Sequence, residues 1–147
     1  MPTPIRLGLI GYGGIAKRAH RPGILANADV VKVTAVADVV SDNLDAAHTD
    51  YGVPREQLYA DYREMLAKAE IDAVDIATPH NLHAEQVIEA ANAGKAVVCE
   101  KPMGVSSEEG DAIVEAVKRN GVPYSMGQMF LFSPSVVRAK ELMDDPA

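Results

Sequence analysis

The sequence predicts an α/β fold: a doubly wound parallel sheet with helices on both faces, in three layers, α/β/α. Three observations predict it. Short apolar runs alternate strictly with helical patterns from Ile5 to Met126. The connections between them are brief, and such alternation specifies parallel strands buried on both faces. At the end of the first run, Gly11, Gly13 and Ala16 stand at G-x-G-x-x-A spacing. Two successive β-α-β-α-β halves give the strand order 3-2-1-4-5-6, with a ligand crevice at the carboxyl ends of the strands where the order reverses.

The first strand carries Ile5, Leu7, Leu9 and Ile10. Gly11 lets the chain turn sharply out of it. Gly13 has no side chain, so a pyrophosphate can approach the backbone, and Ala16 lets the following helix pack closely on the strand. Tyr12, Gly14 and Ile15 complete this loop. The unpaired N–H groups and positive dipole end of the helix face the phosphates. Taken alone, the loop also reads as an ordinary glycine-rich strand-to-helix turn. The residues that follow decide between the two. Val30–Ala37 is a second apolar run, and Asp38 ends it, where an acidic residue meets ribose hydroxyls in a dinucleotide site. Val39, Val40 and Ser41 come next, with no arginine to pair with a 2′-phosphate. The expected ligand is NAD rather than NADP.

The remaining elements follow in order. Pro22 predicts a kink or stop near His20, because proline removes a helical hydrogen bond; His20 itself offers a functional group but reads first as a structural or surface histidine, outside the three loops that leave the strand ends. Ser41 or Asp42 is expected to cap a helix over Leu44, Ala46 and Ala47 that closes at Gly52. Gln57–Ala60 reads as a short strand or an extended turn. Asp61 with Glu64, and Ser106 with Glu109, have the spacing of capping boxes for the helices after them. Strands are expected at Ala73–Ala77, Lys95–Cys99 and Val122–Met126, and a helix from about Leu82 to Asn92. Phe130-Leu131-Phe132 precedes Ser133-Pro134, a cap with proline at the first helical position. The amphipathic helix that follows carries Val136, Val137, Leu142 and Met143. We expect residues 1–127 to form the dinucleotide-binding domain, and 128–147 a connecting segment and the first helix of a truncated second domain.

Composition bounds the function classes. The 147 residues carry 14 basic and 21 acidic side chains, a net charge of −7, which argues against a nucleic-acid partner. No run of apolar residues is long enough for a membrane span, and no leader pattern suggests secretion. One cysteine, Cys99, rules out an internal disulfide framework and fits a reducing cytoplasm. Its place at the end of an apolar run makes it a core residue rather than a nucleophile. His80 and His83 have an i, i+3 spacing, but no third ligand cluster accompanies them, so no metal site is expected.

Three segments, Ile10–Ala16, Ile71–His83 and Cys99–Pro102, together resemble the Gfo/Idh/MocA family of nicotinamide-dependent oxidoreductases. The resemblance runs through Gln128–Met143 and implies a Rossmann fold followed by a substrate domain with an open antiparallel sheet. It implies further that Lys101, in Glu100-Lys101-Pro102, is catalytic, holding the substrate hydroxyl and assisting its proton transfer. Glu100 would contact the nicotinamide ribose, and Pro102 would follow a cis bond. Thr78, Pro79 and Asn81 would line the adenosine and ribose side, with His83 reaching the cofactor loop. Leu131-Phe132 stands where relatives carry an Arg-Phe pair. The family's acid/base histidine belongs to the second domain, so this chain alone is expected to bind NAD without turnover. The expected substrate is a sugar, polyol or related hydroxylated small molecule, and a homo-oligomer, in particular a dimer, is expected. A non-catalytic NAD-binding sensor or scaffold, and an NAD-dependent glycosidase of the same family, are the alternatives.

Overall fold

β1 (Ile5–Ile10) forms where alternate apolar side chains serve two cores: Leu7 and Leu9 enter one, Ile10 the other. In the computed structural model, which describes residues 3–145, this strand is central to a six-stranded parallel sheet. The other strands are β2 (Val31–Ala37), β3 (Leu58–Tyr59), β4 (Ala73–Ile76), β5 (Ala96–Glu100) and β6 (Tyr124–Gly127). Their order is β3-β2-β1-β4-β5-β6, the doubly wound order expected. The reversal lies between β1 and β4, so the chain leaves neighbouring strand ends in opposite directions and opens a crevice there.

Helices cover both faces. On one side α1 (Arg21–Ala26) and α2 (Ser41–Tyr51) pack through Ile24, Leu44 and Ala47 against Leu7, Leu9, Val33 and Val36. On the other, α3 (Tyr62–Lys68), α4 (His83–Asn92) and α5 (Ser107–Asn120) bring Met65, Val87 and Ile113 onto Ile10, Val74, Ile76, Val97 and Cys99. Each apolar face is thereby removed from water, the main favourable term in folding. Gly52 and Gly121, with φ of 68° and 63°, end α2 and α5 in the left-handed conformation.

Several local expectations need correction. Of the kink or stop expected near His20, the stop does not occur; the helix changes there from a π turn to an α-helix. Residues Ala16–His20 form a π-helical turn in which the Arg21 N–H donates to Ala16 O, and α1 continues directly from it with Pro22 as its second residue. Neither Ser41 nor Asp42 caps α2. The capping position is Val40, and Asp38 Oδ1 accepts the Val40 N–H at 2.8 Å. Neither capping box forms whole: Ser106 makes its forward half, accepting from Glu109 N, and Asp61 caps through the N–H of Arg63 rather than of Glu64. Glu64 turns instead to Lys68, and Glu109 accepts the N–H of Val105. After β6 a short turn, Met129–Phe132, leads to α6 (Pro134–Asp144), whose Val136, Val137, Leu142 and Met143 are exposed rather than folded back on the sheet.

Candidate cofactor site

Three strand ends shape one groove of about 640 Å³, lined by Gly11, Gly13, Asp38, Asn43, Thr78 and Pro79 among others. Gly11 is required by the backbone. Its φ is 88°, and a Cβ there would sit 2.8 Å from Thr78 Cγ2 and 2.9 Å from Ala77 O. Gly13 differs. A Cβ at Gly13 would meet no protein atom within 4 Å, so its smallness keeps the groove open rather than relieving a clash. Gly14 and Ile15 are already helical, and Ala16, buried, seats the helix on the sheet.

Asp38 is the best-held polar group of the groove. Its Oδ2 accepts the Tyr12 N–H at 2.7 Å and Asn43 Nδ2 at 3.0 Å, while Lys17 Nζ donates to Asn43 Oδ1 at 2.7 Å. The carboxyl is therefore oriented before any ligand arrives. On the opposite wall, Thr78 Oγ1 donates to Gln86 Oε1 at 2.5 Å.

The structure separates the remaining expected site residues. The Tyr12 side chain does not face the groove. It is fully buried, its hydroxyl donates to Asp50 at 2.7 Å, and only its backbone belongs to the loop. His83 also faces inward; its ring spans Pro102 O at 2.7 Å and Thr78 O at 3.0 Å, tying the loop after β4 to the loop after β5. Asn81 is exposed in the short turn His80–Leu82. Lys101 is exposed at the end of β5, and the Lys101–Pro102 bond is cis, as expected. Glu100 is buried, with Oε2 accepting the Lys101 N–H at 3.1 Å. Burial, with Asp75 and Glu100 nearby, pushes the Cys99 thiol up to about 12, which leaves it an inert core residue.

His20 is structural rather than on the surface: Nδ1 is 2.7 Å from Asp75 Oδ2 on β4, and Nε2 is 2.9 Å from Glu100 Oε1 on β5. Asn43, Gln86 and the Ala60–Arg63 corner also reach the groove without having been expected there. Asn43, five residues after Asp38 in the first turn of α2, and Gln86, a polar residue on the inner face of α4, were the available signals.

Comparison with known proteins decides the family. The model described as "Oxidoreductase family, NAD-binding Rossmann fold" matches residues 5–128. The chain belongs to the Gfo/Idh/MocA family. An inositol 2-dehydrogenase of Rhizobium meliloti is 33% identical over 96% of this chain and 41% of its own length. A crystal structure of scyllo-inositol dehydrogenase from Lactobacillus casei, with bound NAD(H) and scyllo-inositol, superposes with a TM-score of 0.89. Its identity is 32%, covering 97% of this chain and 41% of that one. The WlbA dehydrogenase of Bordetella pertussis, in complex with NADH and UDP-GlcNAcA, gives a TM-score of 0.91 at 31% identity, covering 97% and 42%. The chain thus spans about two fifths of the length of these Gfo/Idh/MocA proteins. It forms an NAD-binding Rossmann domain, and the groove fits that cofactor, since the open position at Gly13 lies beside the oriented carboxyl of Asp38. Among the described residues, no helix is long and apolar enough to cross a membrane, and no three His, Cys, Asp or Glu are grouped to hold a metal ion.

Proposed function

We propose that this chain supplies the cofactor half of a dehydrogenase, binding NAD in the groove and presenting it to a sugar, polyol or similar hydroxylated small molecule. The observation that carries the reading is the convergence of Gly11, Gly13, Asp38 and Thr78–Pro79 on one groove at the strand-order reversal, with Glu100 ending β5 and Lys101-Pro102 following it on the same edge of the sheet. When bound, the nicotinamide accepts or donates the hydride. The chain's own residues orient it. The Gly11–Ala16 loop receives the pyrophosphate on backbone N–H groups at a helix start. Asp38 accepts from the adenosine ribose hydroxyls, and Thr78, Pro79 and Asn81 flank that side. Glu100 is assigned to the nicotinamide ribose. Lys101 Nζ holds the substrate hydroxyl, and its positive charge stabilises the alkoxide that develops as hydride leaves carbon. Relatives named for inositol support the polyol class, and the nucleotide sugar in the WlbA complex supports the sugar class.

The reading divides the chain into a cofactor domain, 1–127, and a segment, 128–147, that leads out of it. We place the protein in the cytoplasm, on the strength of the lone buried Cys99, and as a homodimer, on the strength of the exposed apolar side chains of α6.

Fluorescence of the reduced nicotinamide tests the reading. NADH should bind the chain saturably and be displaced by ADP-ribose. Emission that never saturates, or that ADP-ribose leaves unchanged, would contradict a dinucleotide groove.

A further inference from the structure

The π-helical turn Ala16–His20 directly continues the glycine-rich loop and ends on a residue that touches two other strands. A π turn holds one residue more than an α turn, and such insertions mark functional positions in helices. Here the turn ends on His20, whose side chain is 12% exposed between Asp75 and Glu100, at 8% and 6%. Both ring nitrogens are engaged, at 2.7 and 2.9 Å, so the imidazole is fixed in position and in rotation. A rigid ring with donors on two edges suits this gap between β4 and β5. The connection continues, because the second oxygen of Glu100 accepts the backbone N–H of Lys101 at 3.1 Å. One chain of contacts therefore runs from the phosphate loop through His20 and Glu100 to Lys101.

We propose that His20 is a positioning residue, which clamps Glu100 and the backbone of Lys101 so that the end of β5 meets the nicotinamide end of a bound dinucleotide. The proposal rests on the cofactor reading above and adds a residue which that reading does not assign. It differs from a purely structural tie in what it affects: the nicotinamide half of the ligand, not the adenosine half, which Asp38 and Thr78 flank across the groove.

The electrostatics agree. The hydrogen bond to Asp75 raises His20 to about 9 against the opposing effect of burial, with Glu100 adding to the rise. The imidazolium therefore persists at neutral pH and donates to both carboxyl groups. Around this cluster, Cys99 lies on β5, Arg21 pairs with Asp50 at 2.9 Å on the helical side, and burial raises the Tyr51 hydroxyl, with Asp50 and Asp75 adding to the rise and Arg21 opposing it. Asp75 Oδ1 is buried without a partner, so Asp75 relies on its other oxygen and His20. Loss of the ring proton turns one of the two contacts from donor–acceptor into two facing acceptors, and frees Asp75 or Glu100.

Calorimetric titration of the chain with NADH and with ADP-ribose, which lacks the nicotinamide, tests this at about pH 7.5 and about pH 10. The parent should prefer NADH at the lower pH. That preference should fall at least about fivefold at the higher pH, while ADP-ribose affinity stays within about twofold. His20→Gln, which has no titrating proton, should show a reduced preference at both pH values and no step between them. A His20→Gln chain with parental preference would overturn the proposal. So would parallel losses of NADH and ADP-ribose, which indicate a structural tie alone. The parent's own pH series needs no substitution, and absence of the step in it overturns the proposal even if the variant fails to fold. A parent that binds neither ligand sinks the cofactor reading itself, a result distinct from binding both without the pH step, which sinks only the role of His20.

Discussion

Asp38 Oδ2 accepts the backbone N–H of Tyr12 at 2.7 Å, so the acid that ends β2 is anchored to the glycine-rich loop that ends β1. With Val40 N–H on Oδ1 and Asn43 on Oδ2, the carboxyl keeps a fixed direction at the groove. A fixed negative charge discriminates against a ligand phosphate more effectively than a mobile one, because it cannot swing away.

Cofactor choice follows from this anchor. A 2′-phosphate near Asp38 would meet repulsion of roughly 1 kcal/mol in water, and about 4 kcal/mol at a partly shielded site, for charges about 4 Å apart. Arg63, the cation that lines the groove, is already engaged by Glu85 at 2.5 Å and Glu89 at 3.0 Å, and Lys17 Nζ by Asn43 Oδ1 at 2.7 Å. Calorimetry should show NAD bound at least about tenfold more tightly than NADP. Asp38→Ala should narrow that ratio. Equal or tighter NADP binding by the parent, or an unchanged ratio in the variant, would contradict the assignment.

Stability should depend on alkaline pH through His20. Its folded value, about 9, lies above the ordinary 6.5, so the stabilisation is complete below about 6.5 and declines until it is lost above about 9. The shift corresponds to at most about 3 kcal/mol for this largely buried ring. Urea midpoints measured from about pH 6 to about pH 10 should fall through this window in the parent and change little in His20→Gln. Parallel profiles for the two chains would show that the ring does not carry the dependence.

The strand order, the loop at Gly11–Ala16 and the acid at Asp38 were legible because each is written locally, in periodicity and spacing. What the sequence did not reveal depends on side chains from distant elements. Nothing near His20 announces Asp75 or Glu100, which are 55 and 80 residues away. Tyr12 and His83 sit inside motif segments, yet Asp50 and the Thr78 and Pro102 carbonyls draw their side chains into the core. The capping boxes did not form whole because Lys68 and the Val105 N–H compete for Glu64 and Glu109. Local patterns specify the backbone, and the competition among partners is settled only in the packed molecule.

Assembly is testable at the other end of the chain. Met143 is 84% exposed and Leu142 60%, on the helix that also exposes Val136 and Val137. Burying each such side chain is worth roughly 1.5–3 kcal/mol. Sedimentation should find dimers at about tens of micromolar, and Val137→Asp with Leu142→Asp should shift them to monomers. A strictly monomeric parent at that concentration would defeat the dimer.

The most direct measurement of the central claim compares NAD affinity in the parent and in Gly13→Val. A Cβ at Gly13 would meet no protein atom within 4 Å, at the point where the backbone should approach the pyrophosphate. The substitution should change the unfolding free energy by no more than a surface change does, about 0.5 kcal/mol. It should also weaken NAD binding by tenfold or more, about 1.4 kcal/mol. Undiminished NAD affinity in a folded Gly13→Val chain would contradict the placement of the cofactor in this groove.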